Sequence, residues 1–398
     1  MFDLKKVIRS NILTLEPYRC ARDDFKEGIL LDANENTIGP AVSNLSKEEI
    51  NLELNRYPDP HQHNLKQQII DYRNQTPNKH LKNKSDQLTI ENLCLGVGSD
   101  ESIDMLLRCC CIPGKDKMLI CPPTYGMYSI CAITNDVSIE KVPLTIPNFQ
   151  LDQDKITEKL QSDENIKLLY LTSPGNPTGK LINVDSIIEL LNKVGQFWNG
   201  LVIVDEAYID FTSKNNEFSE SMCTLVNQYS DLVVLQTLSK SFGLAGIRLG
   251  ITYSSKELSH YLNAMKYPYN ISSLTSNVAI RATNKDGLKL VEEFVDQIIK
   301  QREIVLNELL KLPNVGRNIG GLDSNFILLE ILDKDGKPSN EVAKKLYNTL
   351  ATKEATVIRF RGSELNCTGG LRISIGTPDE NERLIENFTK VLNDIINE

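Results

Sequence analysis

Three short apolar runs constrain this chain most: "LLYLT" (Leu168–Thr172), "GLVIVDEAY" (Gly200–Tyr208) and "DLVVLQTLSK" (Asp231–Lys240). None alternates apolar with polar, so each predicts a strand buried on both faces. Between the first two lies "DSIIELLNKV" (Asp185–Val194). Its Ile187, Ile188, Leu190 and Leu191 follow an acidic start at helical spacing. Apolar strands separated by amphipathic helices predict a mainly parallel sheet covered on both sides.

The last hundred residues read differently. A long helix, about Leu288–Leu310, precedes strands at "NFILLEI" (Asn325–Ile331), "TVIRF" (Thr356–Phe360) and "GLRISIG" (from Gly370). A closing amphipathic helix spans about Pro378–Ile396. This predicts a smaller α+β domain joined near Asn284–Leu288. The length of 398 residues agrees, being too great for one ordinary core.

Composition narrows the function. A net charge of −9 argues against nucleic-acid binding as the main activity, yet leaves room for a local cationic pocket. Nine cysteines include three in a row, Cys109 to Cys111, with no zinc-type spacing; they read as buried free thiols. His61 and His63 are expected in a solvated loop, as is Asn74–Gln87, and no metal constellation is predicted. No apolar run is long enough for a membrane span, and the N-terminus lacks the pattern of a secretory signal. The cytoplasm is the expected compartment.

Ligands of open α/β sheets bind outside the carboxyl ends of the strands. Here those ends carry "SPGNPTG" (Ser173–Gly179), Asp205 to Tyr208, and Ser239-Lys240. An amide, a carboxylate, a phenol and an amine therefore meet at one edge. "LGVGSDESIDMLL" (Leu95–Leu107) adds a glycine turn opening a helix, whose first amides can cradle a phosphate. Singly these are ordinary: a turn, a helix-capping acid, a surface lysine. Their order along successive strands is not.

That order resembles the pyridoxal-phosphate-dependent transferases of fold type I. The resemblance implies a large domain with a mainly parallel seven-stranded sheet (56–285), a C-terminal small domain (286–398), and an N-terminal arm with part of the small domain (1–55). It makes Lys240 the lysine that holds pyridoxal 5'-phosphate and moves protons. Burial near the strand end favours the neutral amine that this requires. Asp205 would pair with the ring nitrogen, Tyr208 and Asn176 with the ring's phenolate oxygen, and Tyr125 with the ring face. Ser239, Arg248 and the backbone of Ser99 and Asp100 would hold the phosphate. Tyr57 would reach it from the partner subunit of a homodimer.

Over nearly the whole chain the wording is similar to the histidinol-phosphate aminotransferase family, in its fungal branch. The matching segments include "LEPYRCARDDF", "NRYPDPH", "PPTYGMYS", "TLSKSFGLAGIRLG", "VIRFRG" and "GLRISIGT". One departure is Gly175, where many relatives carry the first of two asparagines. The resemblance implies ping-pong transfer between glutamate or 2-oxoglutarate and imidazole acetol phosphate or L-histidinol phosphate. Tyr18, Asn34, Arg359 and Arg372 would bind the anionic substrate. Arg361, two residues on, shares a strand face with Arg359 and rivals it. An aromatic amino acid aminotransferase, a decarboxylase of a phosphorylated substrate and a non-enzymatic binding protein of the same fold are the alternatives.

Overall fold

A computed structural model describes residues 2–17, 19, 40, 46–75, 77–212 and 220–397. Seven strands form one sheet: β1 (Leu93–Val97), β2 (Lys117–Ile120), β3 (Ser138–Lys141), β4 (Ile166–Thr172), β5 (Leu201–Asp205), β6 (Leu232–Thr237) and β7 (Leu249–Tyr253). Their order is β1-β7-β6-β5-β4-β2-β3, and only β7 runs antiparallel to its neighbours. The mainly parallel seven-stranded sheet is therefore present.

The apolar runs do what double burial requires. Val202 and Val204 of β5 join Leu232 and Val234 of β6 in one core. Leu201, Ile203, Val233 and Leu235 join a second core on the other face. Period-two pleating sends successive side chains to opposite sides, and helices cover both. The helices His63–Gln75 and Val184–Val194 pack on the first face; Ser99–Cys110 and Met127–Thr134 pack on the second.

A second, antiparallel sheet has β8 (Val315–Asn318), β9 (Phe326–Ile331), β10 (Arg359–Phe360) and β11 (Gly370–Ser374), in the order β10-β11-β9-β8. Its core includes Ile327, Leu329, Leu371 and Ile373, packed against helices Asn340–Lys353 and Pro378–Asn397.

Several expected boundaries move. The strand expected at Thr356–Phe360 pairs only at Arg359–Phe360. His63 opens a helix rather than sitting in a loop, because Leu65, Ile69, Ile70 and Tyr72 behind it are buried at helical spacing. That helix also takes Asn74 and Gln75 from the expected loop. Lys240 lies three residues beyond β6, not on it. Thr237 Oγ1 accepts the Ser239 N–H at 3.1 Å and turns the chain there. The eight described cysteines are free and buried. Among the described residues, no helix is long and apolar enough to cross a membrane, and no cluster of His, Cys, Asp or Glu could hold a metal.

Candidate active site

The ends of β4, β5 and β6 and the turn after β1 open on a cavity of about 260 Å³. Ser99, Asp100, Tyr125, Asn176, Asp205, Tyr208, Ser239, Lys240, Arg248 and Arg372 line it. The structure thus brings together residues as far apart in the chain as Ser99 and Arg372.

Asp205 ends β5 and is 3% exposed. Its Oδ2 accepts from the Tyr128 hydroxyl at 2.7 Å and its Oδ1 from the Ala207 N–H at 3.2 Å. The Tyr128 and Thr172 hydroxyl oxygens are 2.8 Å apart, as are those of Thr172 and Thr124. Burial pushes the Asp205 carboxyl above the ordinary carboxylate range, and the two donors partly offset it. A buried acid with donors but no hydrogen-bonded cation among the described residues suits a cationic partner. Sequence reasoning missed Tyr128. No local signal marked it, since a tyrosine in the apolar helix Met127–Thr134 reads as core.

The other end of the cavity suits an anion. The helix Ser99–Cys110 starts after Gly98, whose φ is 77°. A Cβ on Gly98 would run into the Arg248 guanidinium, and one on Gly250 would strike the Gly98 backbone and the Ser99 nitrogen. These two glycines let Arg248 approach the first turn of the helix, where backbone N–H groups have no intrahelical acceptor. Arg248 Nη2 lies 3.6 Å from Asp100 Oδ2, whose other oxygen accepts from the Tyr125 hydroxyl at 3.2 Å. The Ser239 hydroxyl is 2.8 Å from that of Thr237. A forked guanidinium, a hydroxyl and helix-terminal amides together match a phosphate dianion.

The small sheet closes the third side. Arg372 Nη1 donates to Asn176 Oδ1 at 2.5 Å, which leaves the Asn176 amide hydrogens for another acceptor. The Arg372 guanidinium also lies 5.2 Å from the Phe326 ring centre, and Phe326 meets Tyr208 edge-on at 5.3 Å. Burial raises the Tyr208 phenol to about 12, against the pull of Arg372. Lys240 Nζ sits 5.5 Å from the Tyr208 ring centre. Burial, and then the charge of Arg372, push its amine below the usual lysine range; Asp100 and Asp205 oppose them.

Of the two rival arginines, Arg361 lines the cavity and Arg359 does not. Arg359 stands opposite Arg372 in the β10–β11 pairing but remains exposed. Arg361, just past the strand, is half-buried, with Nη1 3.5 Å from Glu364. Its Nε is buried with no hydrogen-bond partner among the described residues. Tyr57 lies outside the cavity, 53% exposed and stacked on Tyr269 at 4.6 Å. Tyr18 and Asn34 lie outside the described residues.

The family profile of aminotransferase class I and II matches residues 24–388. A histidinol-phosphate aminotransferase of Candida maltosa is 73% identical over 395 residues, covering 99% of this chain and all of that protein. The crystal structure of a histidinol-phosphate aminotransferase from Clostridium acetobutylicum superposes with a TM-score of 0.71 at 26% identity, over 86% of this chain and 92% of that one. One from Sinorhizobium meliloti, solved in complex with pyridoxal-5'-phosphate, gives 0.73 at 18% identity over 91% and 90%, a likeness of fold.

Proposed function

The chain belongs to the aminotransferase class I and II family, and on that premise we propose that it is a histidinol-phosphate aminotransferase dependent on pyridoxal phosphate. It exchanges an amino group between glutamate and imidazole acetol phosphate. The observation that carries the substrate reading is the arginine pair on the cavity wall, Arg361 with an unspent buried donor and Arg372 beside it. Both reaction partners are anions, and one cationic pocket must take each in turn.

The residues fit the cofactor. The Ser99 turn, Ser239 and Arg248 make a phosphate cup, Asp205 is a buried acid, and Lys240 is an amine on the same cavity. When bound, pyridoxal phosphate supplies an electron sink for the substrate's α-carbon. Asp205 would hold the proton on the ring nitrogen, itself held by Tyr128 and the Ala207 N–H. Asn176, oriented by Arg372, and Tyr208 would donate to the ring's phenolate oxygen. Tyr125, on the cavity wall, would cover a ring face. Lys240 Nζ, on the same cavity, would be the base that takes the proton from the substrate's α-carbon and, as the ammonium, the acid that gives it back. Its lowered affinity for protons keeps a basic amine available.

Tyr57 belongs to the partner's site in this reading, since it is exposed and outside its own cavity. Residues 56–285 act as the cofactor-binding domain and 286–398 as the small domain. The buried free thiols fit a reducing cytoplasm.

Turnover of histidinol phosphate with 2-oxoglutarate is expected to exceed that of phenylalanine by about tenfold or more in kcat/KM. Equal rates would favour an aromatic aminotransferase, and carbon dioxide release from threonine phosphate a decarboxylase. Arg361→Gln should raise KM for histidinol phosphate roughly 10- to 100-fold, the loss of a charge-assisted hydrogen bond. Arg359→Gln, at an exposed site, should change it by no more than about fivefold. The reverse ranking would return Arg359 to the substrate.

A further inference from the structure

Behind the active-site edge, on the opposite face of the sheet from Tyr128, lies a buried polar chain that the reaction as described does not use. Pleating turns Glu206 away from Asp205 and Gln236 away from Leu235, both toward the helix His63–Gln75. Glu206 is 2% exposed. Its Oε1 accepts from the Met222 N–H at 2.7 Å, and its Oε2 from Ser221 at 2.5 Å and Gln236 Nε2 at 2.8 Å. Gln236 Oε1 accepts from Arg73 Nε at 2.9 Å. Arg73 Nη1 donates to Asp210 Oδ1 at 2.8 Å, and Asp210 Oδ2 accepts from the Ser241 hydroxyl at 2.5 Å.

The two ends of this chain are sequence neighbours of the two groups the chemistry depends on. Glu206 follows Asp205, and Ser241 follows Lys240. We propose that Arg73 is a positioning residue for transamination: through Asp210 and Ser241 on one side, and Gln236 and Glu206 on the other, it fixes the Lys240 backbone relative to the Asp205 strand. This rests on the function proposed above.

The arrangement answers a mechanical need. The Lys240 amine makes no hydrogen bond or ion pair among the described residues, so its reach is set where its backbone is anchored. Besides the backbone bond from the Gly243 N–H to the Lys240 carbonyl at 3.0 Å, the adjacent anchor is Ser241. A flexible four-carbon side chain delivers a proton to a defined atom only from a fixed root. Arginine is required at position 73 because one planar fork must meet Gln236 and Asp210 at once. A lysine ammonium keeps the charge but lacks that geometry.

The test uses the full-length holoenzyme and reads the pH midpoint of the cofactor's visible absorbance beside kinetics. Ser241→Ala leaves the Arg73–Asp210 ion pair intact and removes only the last link. It should lower kcat about fivefold or more with KM for both substrates within about twofold. It should also move the absorbance midpoint by about half a unit or more. Ser241→Thr, which keeps the hydroxyl, should restore both. Arg73→Lys should show the same shift, and adding Ser241→Ala to it should add little, the non-additivity of one connected chain. A midpoint and kcat unchanged in Ser241→Ala, or losses that only track a fall in melting temperature, would overturn the clamp. The absorbance is independent of which amino acid is turned over. A wild type that prefers phenylalanine while the midpoint still shifts would sink the substrate reading and leave the clamp standing.

Discussion

Lys240→Ala lowers kcat by about 10³-fold or more, at the upper end of what a positioned acid–base group contributes, and leaves the fold unharmed. The two halves of that expectation come from the same surroundings. The amine is half-buried beside Arg372, so its protonated form is disfavoured. That makes it a good base, and it also makes it a poor contributor to stability. Its amine makes no hydrogen bond or ion pair among the described residues, and the Tyr208 ring at 5.5 Å is worth about 0.5–1 kcal/mol. Removing a cation from beside another offsets that loss. The melting temperature of the cofactor-free variant should therefore match wild type. The phosphate cup does not involve Lys240, so the variant should still take up pyridoxal phosphate, now reversibly. Borohydride reduction followed by peptide mapping should label Lys240 in wild type and nothing in the variant. A label elsewhere, or turnover within about tenfold of wild type, would remove Lys240 from the chemistry.

What was legible in the sequence follows from which interactions are local. Strands β4, β5 and β6 announce themselves, because a fully apolar run has few uses other than a doubly covered strand. The residues at their ends were legible for the same reason. The antiparallel β7 was not. "LGITY" starts directly after Arg248, and its direction depends on pairing with both β1 and β6, which no local pattern encodes. The choice between Arg359 and Arg361 was also out of reach, since a period of two places both on one face. What separates them is where pairing stops. Tyr128 was hidden by distance: its partner Asp205 is 77 residues away, and a tyrosine in an apolar helix reads as core. The Arg73 chain was hidden likewise, its links to Gln236 and Asp210 spanning 163 and 137 residues.

Asp205→Ala is expected to lose about 2–5 kcal/mol of transition-state stabilisation, roughly 30- to 5,000-fold in kcat/KM, the usual result of truncating one partner of a buried charged pair. The stability consequence runs the other way and makes the test sharp. Burial raises the Asp205 carboxyl, so the folded protein without cofactor holds this proton more tightly than the unfolded chain does. Such a group is most favourable to folding at low pH, and its contribution is lost as pH rises through the folded value. The charged form of this buried acid is therefore costly to the fold, a cost that the cofactor's ring nitrogen would offset. The melting temperature of Asp205→Ala without cofactor should therefore gain on that of wild type as pH rises, while the increase on adding pyridoxal phosphate should shrink. Tyr128→Phe keeps the acid but removes its nearest donor, at 2.7 Å, while the Ala207 N–H remains. It should cost roughly tenfold in kcat, near the lower bound for a hydrogen bond to a charged group. Should Asp205→Ala retain wild-type turnover, or destabilise the cofactor-free protein as much as the holoenzyme, the acid would be a structural residue, and Tyr128 with it.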